Sequence, residues 1–243
     1  MCGRFVLDRK TTDLVALFEV DLEGDSLPGP SWNIAPTDSI SIVLDSLPRA
    51  SESDENPQPV RRLESARWGL VPGWVKDPAA GAPLINARVE GIADKASFRT
   101  ALARRRAVVP ASGYYEWKVV GDVKVPQFVS LPGDELLVFA ALYEWWKNPA
   151  AAEGSADKWM LSTTILTRPS AGPLASIHDR MPVLLDADVV EEWLDPEEEG
   201  SQELADLVAD AGAGVAARAE FHEVDPAVGS VRNNGEQLIA RVA

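Results

Sequence analysis

Short extended runs, cut apart by proline and glycine, set the limits on what this chain can fold into. Residues 39–44, 62–71, 125–131, 136–142 and 160–166 each have the length and apolar content of a strand. Turn-forming stretches lie between them: residues 25–30, the segment 32–37 with Pro36, and the glycine and proline between Trp68 and Trp74. Helix signals are fewer. Thr11-Thr12-Asp13 precedes Leu14, Leu17 and Phe18, the spacing of a short amphipathic helix. Residues 94–107 read as a helix ending in Arg104-Arg105-Arg106, where the macrodipole favours positive charge. Residues 188–193 and 201–211 read as surface helices in an acidic region. No repeat or break in composition marks a second unit, so residues 1–243 are expected to form one α+β domain on a β-rich core. Two polar stretches, the acidic 49–59 and 148–157, read as surface loops.

Cys2 is the only cysteine, so the chain cannot close a disulfide on itself, and a reducing cytoplasm is the expected setting. With two histidines, His178 and His222, it has few ligands for a structural zinc. No metal or cofactor is expected. No run approaches the ~18 apolar residues of a membrane span, and no basic-then-apolar leader opens the chain. A membrane partner is therefore not expected.

The position of Cys2 matters more than its rarity. Its small side chain makes the preceding Met1 a substrate for removal by a methionine aminopeptidase. The mature chain would then begin with an α-amine and a thiol on adjacent carbons, with ordinary pKa values of about 8 and about 8.5. Such a 1,2-aminothiol condenses with an aldehyde to an imine and closes to a thiazolidine. The amine can also serve as base for its own side chain.

The net charge of -15 argues at first against nucleic acid. Charge is unevenly spread, however. Residues 61–118 carry eleven basic and five acidic side chains, while acid gathers at 45–55 and 186–210. A basic face on an acidic protein is compatible with that distribution. Within this region Asn86 and Arg88 lie two apart and would share one side of an extended segment. Glu116 stands among aromatics in Gly113-Tyr114-Tyr115-Glu116-Trp117. There a carboxyl is expected to shift upward and exchange protons near neutral pH; the bland alternative is a solvent-facing strand residue. His178 lies in a polar run rather than an apolar stripe, which makes it the better acid–base candidate of the two histidines.

Taken together, these segments resemble the SRAP family, SOS-response-associated peptidase-like proteins that attach to abasic sites in single-stranded DNA. The resemblance rests on Cys2-Gly3-Arg4-Phe5, Trp32-Asn33-Ile34-Ala35-Pro36, Arg67-Trp68-Gly69-Leu70-Val71-Pro72-Gly73-Trp74 and Ile85-Asn86-Ala87-Arg88-Val89-Glu90. It continues through Gly113-Tyr114-Tyr115-Glu116-Trp117, Ile177-His178-Asp179-Arg180-Met181-Pro182 and Val228-Gly229-Ser230-Val231-Arg232-Asn233. These stretches follow the family's order across nearly the whole chain, and the departures fall in loops.

The resemblance implies a barrel-like β core with a few surface helices. It also implies a reversible thiazolidine crosslink between Cys2 and the ring-opened sugar of an abasic site. Cys2, Asn86, Glu116 and His178 match its catalytic positions. His178 would polarise the deoxyribose oxygen, and Glu116 would move protons at the amine and sulfur. Arg4 and Arg88 match phosphate-holding arginines, a task suited to the guanidinium fork. Asn33 and Pro36 would shape the pocket, and Trp68, Phe98, Arg99 and Trp117 would contact DNA, with Phe98 as an apolar wedge. The implied partner is single-stranded DNA bearing an abasic site, bound by a monomer. The alternatives are a cysteine peptidase with autocatalytic removal of Met1 and a non-covalent single-strand binder. Lyase activity at abasic sites would be a minor side reaction.

Overall fold

The computed structural model describes residues 2–48 and 58–242. Of the acidic 49–59 loop, residues 49–57 lie outside the described ones. The chain begins with β1 (Phe5–Leu7) and α1 (Thr11–Leu17), then forms β2 (Leu22–Glu23), β3 (Ser31–Ile34), β4 (Ser39–Ser46) and β5 (Val60–Trp68). After β6 (Asn86–Arg88) and α2 (Arg99–Arg104) come β7 (Arg106–Ala111), β8 (Gly113–Val120), β9 (Val123–Ser130), β10 (Leu137–Lys147) and β11 (Trp159–Pro169). The last part holds β12 (Arg180–Pro182), β13 (Leu184–Leu185), α3 (Ala187–Leu194), α4 (Gln202–Arg218) and β14 (Glu220–Glu223).

Five strands close on themselves. β11 pairs with β10, β10 with β7, β7 with β4 and β4 with β5, all antiparallel. β5 then returns to β11 in parallel through Ser162↔Arg67 and Thr163↔Trp68. Closure leaves this ring no edge to protect. The sequences fit such a position: every residue of β7 is buried, as is the apolar middle of β4, so neither alternates as a half-exposed strand would.

A second, open sheet runs β14-β9-β8-β1-β3. The two layers are joined where β7 passes directly into β8 through Ser112. Gly113 is required at that corner: a Cβ there would run into the Phe128 ring and stand 2.6 Å from the Val129 carbonyl oxygen. Phe5 carries β1 into the barrel core, meeting Trp68 edge-on at 5.2 Å and Phe139 at 6.2 Å. The architecture is mixed α+β, with a barrel-like core and helices on its outside.

The expected helix at 94–107 is much shorter. Only Arg99–Arg104 is α-helical, and Arg106 already belongs to β7. The arginine run is therefore not a solvated cap. Arg106 is 3% exposed. Its guanidinium donates to the carbonyls of Leu102 and Ala103 at the end of α2, and to those of Trp193, Asp195 and Glu198. Arg105 pairs with Glu144 at 2.6 Å, so only Arg104 keeps the outward position expected of all three. The helix expected at 201–211 extends to Arg218. The buried face of α4 continues through Gly212, Val215 and Ala216.

A candidate active site around the N-terminal cysteine

β1 lies between β8 and β3, with Phe5 opposite both Tyr114 and Ile34. That register carries Cys2, three residues upstream, along β8 toward Glu116. On the other side, β6 runs parallel to β11, with Asn86 opposite Ile165. From there the Asn86 amide donates to the Cys2 carbonyl at 2.7 Å. The N-terminal segment is thus held from two sides, and Cys2 is fully buried.

Burial raises the Cys2 thiol well above its ordinary range, and the nearby negative charge of Glu116 raises it further. Tyr114 is raised as well, first by burial and then by Cys2 and Glu116. Both stay protonated at neutral pH in this state. Glu116 is 5% exposed, so it is not the solvent-facing strand residue of the bland reading. One of its carboxylate oxygens accepts the Trp117 amide at 3.2 Å.

Glu116 also lines a cavity of about 440 Å³ together with Trp117, Val119, Lys124 and His178. This brings the two acid–base candidates, more than sixty residues apart in sequence, to one space. At His178 two contacts compete for Nδ1. The Arg180 amide donates to it at 3.0 Å, while the Asp179 carboxylate lies 2.8 Å away. The amide is part of the backbone, whereas the Asp179 side chain is 85% exposed and can turn to water. The amide therefore decides the tautomer: Nδ1 accepts, and Nε2 carries the proton of the neutral ring. Arg180 is itself held by a two-pronged pair with Glu90 at 2.5 and 3.0 Å.

The expected DNA-contacting residues divide. Arg88 and Arg99 are exposed, and Trp117 is half-buried at the cavity wall. Arg4 is tied inward: its guanidinium donates to the Asn33 side chain at 2.8 Å and to the carbonyls of Val228 and Gly229 at 2.9 and 3.2 Å. Asn33 is buried, and its amide donates to the carbonyls of Val228, Ser230 and Asn233. The pair staples the C-terminal loop beside the N-terminus. Pro36 leads a turn in which the Thr37 amide donates to the Trp68 carbonyl at 2.9 Å.

Trp68 and Phe98 are corrected from contact surface to core. Trp68 is 0% exposed, and its indole N–H is spent on the Ile85 carbonyl at 2.9 Å, which leaves no ring face for a base. Phe98 is 7% exposed and belongs to the main core cluster, so it cannot stand out as a wedge in this conformation. The exposed aromatic of the same motif is Trp74, at 63%. Trp68 ends a barrel strand, whereas Trp74 follows Pro72-Gly73 and leaves it. The breaker residues between the two tryptophans were the signal that could have separated them. Lys124 was also missed, because nothing in its local sequence ties it to Glu116.

The basic segment is largely consumed by the fold. Arg61 binds Asp45 and Glu191, each at 2.8 Å, and Arg62 binds Glu64 at 2.6 Å. With Arg105 and Arg106 also engaged, Arg88 and Arg99 remain among its outward-facing charges. Among the described residues, no helix is long and apolar enough to cross a membrane.

A family model described as SOS response associated peptidase (SRAP) matches residues 1–231. Abasic site processing protein YoqW of Bacillus subtilis (strain 168) is 35% identical over 243 residues, covering 98% of this chain and 99% of its own. Abasic site processing protein YedK of Escherichia coli (strain K12) is 32% identical, with 100% of each chain covered. Abasic site processing protein HMCES of Gallus gallus is 30% identical over 88% of this chain and 66% of its own. A crystal structure of a Bacteroides thetaiotaomicron protein superposes with a TM-score of 0.76 at 20% identity, covering 100% of both chains, a likeness of fold.

Proposed function

This chain belongs to the SOS response associated peptidase (SRAP) family, and from that membership we propose that it processes abasic sites in DNA by trapping them covalently at Cys2. The observation that carries the reading is the grip of Asn86 on the Cys2 carbonyl beside the buried Glu116, which makes the N-terminus an anchored part of a site. The names of the curated relatives support the substrate class.

Part of the abasic sugar exists as an open-chain aldehyde. The α-amine of Cys2, released by loss of Met1, adds to that carbonyl carbon, and the carbinolamine loses one water to give an imine. The thiol then adds across the C=N bond: sulfur bonds to carbon, and its proton passes to nitrogen, closing the thiazolidine. The Nε2 proton of His178 suits it to polarise the deoxyribose ring oxygen during opening. Glu116 carries protons between amine, departing water and sulfur, and the same path runs backward for reversal. Asn86 acts as a positioning residue through the Cys2 carbonyl.

The buried thiol supports a dependence on maturation. With Cys2 buried as found, the thiol is held protonated. A new amine on the adjacent carbon offers that thiol proton an acceptor within the same residue. Removal of Met1 by an aminopeptidase, or by the protein itself, therefore supplies both the nucleophilic amine and a base for the thiol. β-Elimination from the imine would give minor lyase activity.

Single-stranded DNA is the proposed form of the substrate. Trp74 and Trp117 offer stacking faces that tolerate any sequence, and Arg88 and Arg99 offer charge for phosphates. A monomer in the cytoplasm is the proposed working form: the four catalytic candidates come from one chain, and a lone cysteine suits a reducing compartment.

The test is a denaturing gel and intact mass of the protein mixed with single-stranded DNA carrying one abasic site. The expected product resists denaturation and weighs as protein without Met1 plus DNA minus one water. It is absent with Cys2→Ala and with undamaged DNA. A wild-type protein lacking Met1 that forms no such species sinks the reading. Cleavage of a peptide panel would move a cysteine peptidase ahead, and reversible binding unchanged by Cys2→Ala would favour a plain binding module.

A further inference from the structure

The β8–β9 hairpin reaches beyond its sheet. β1 pairs with β8 at Val6↔Gly113 and Phe5↔Tyr114, and β14 covers β9 from Gln127 to Ser130. The ladder between β8 and β9 nevertheless continues in register from Tyr114↔Val129 to Val120↔Val123. The last turns of this ladder form a two-stranded arm. It is closed by Gly121-Asp122, with Gly121 at φ +61°, the backbone that a tight hairpin needs at its first turn position. Such an arm is marginal by itself, yet it displays Val119, Val120 and Val123 at 63%, 54% and 62% exposure. Val120 and Val123 pair on one face of the arm, while Val119 stands on the other beside Lys124.

One face of the arm opens onto the proposed site. Trp117 and Val119 are two apart on β8 and point the same way, and Lys124 lies directly opposite Val119 in the ladder. These three line the cavity that also holds Glu116 and His178. An aromatic face, an aliphatic side chain and an ammonium group next to the reacting carboxylate match one nucleotide unit of a single strand.

Building on the proposed abasic-site reading, we propose that the arm seats the nucleotide next to the lesion, its base against Trp117 and Val119 and its phosphate on Lys124. The register pins the arm from Tyr114 to the turn, so the seat exists before DNA arrives. Lys124 thereby sets which phosphate stands beside the cavity, and so where the abasic sugar sits relative to Glu116. The acidic surface elsewhere on the chain makes a single well-placed cation count for more in guiding the strand.

The probe is a single strand carrying a tetrahydrofuran abasic analogue, which has no aldehyde and therefore binds the unaltered protein reversibly. Affinity is measured from low to moderate salt. For single strands the slope of log K against log salt falls by roughly 0.7 for each phosphate contact removed. Lys124→Ala should lower the slope by about that amount, and Lys124→Arg should restore it. Val119→Ser should weaken binding and leave the slope unchanged. An unaltered slope in Lys124→Ala, while the wild type still forms the covalent product on true abasic DNA, overturns this inference and spares the function. Absence of both analogue binding and covalent product in the wild type overturns the two together.

Discussion

Replacing Asn33 by alanine separates a staple from a DNA ligand. Its amide donates to the carbonyls of Ser230, Asn233 and Val228 at 3.0, 2.8 and 3.3 Å, and its oxygen accepts from Arg4 at 2.8 Å. The contact to Val228 is long and shares a hydrogen with the others, so two neutral bonds and one charged bond carry the effect. A neutral bond contributes about 1 kcal/mol net, and one to a charged group about 1.5–3 kcal/mol. Water reaches the partly buried carbonyls after the substitution and recovers some of that loss. The expected destabilisation is therefore about 3 kcal/mol. For a domain of this size a loss of 1 kcal/mol lowers Tm by about 2–4 °C, giving a drop of about 6–12 °C.

Thermal unfolding reads this directly, and amide exchange should show residues 226–234 opening first. Asn33→Asp keeps an acceptor for Arg4 but turns a carboxylate toward three carbonyls, so it should destabilise at least as much. A Tm within about 2 °C of wild type, together with loss of binding to abasic DNA, would refute the staple and make Asn33 a direct DNA contact.

Three other outcomes follow from the same structure. Gly113→Ala should lower stability by about 2 kcal/mol or more, because the added Cβ meets the Phe128 ring and the Val129 carbonyl; urea unfolding measures it. Glu90 is held below its ordinary pKa of 4.5, first by its hydrogen bond to Arg180. A depressed folded pKa contributes stability above the unfolded value and loses it as pH falls through the folded one. Glu90→Gln should therefore lower Tm at pH 7, and the gap to wild type should close as pH falls through the depressed folded pKa. Inserting a lysine between Met1 and Cys2 blocks removal of the leader by its bulk, so the purified protein should give no covalent product, while wild type does; intact mass checks both the retained leader and the missing adduct.

Much of the architecture was readable from the chain. Strands at 39–44 and 160–166 lie within observed strands, and the one at 125–131 overruns β9 by a single residue, because alternation and bracketing turns are local signals. The α2 region was misread for an equally local reason. Helix propensity runs on through Arg105, but the Arg106 guanidinium is drawn to carbonyls of α2, of Trp193 and of the stretch beyond it, and the strand wins. The Trp193 acceptor sits 87 residues away in sequence, and no window of propensity can see it.

The site divides along the same line. Side-chain chemistry and position in the sequence determined the candidates: a cysteine at position 2, a glutamate among aromatics, and a histidine in a polar run. Only the tertiary structure decided which of them meet. The cavity joins Glu116 to His178, the pairing of β1 with β8 carries Cys2 toward Glu116, and Asn86 reaches the Cys2 carbonyl from another strand. It also separated Trp68 from Trp74, one ending inside a closed barrel and the other outside it. Residue type states what a side chain can do in a given environment. Burial and distance are properties of the packed chain, and they decide which of those capacities is expressed.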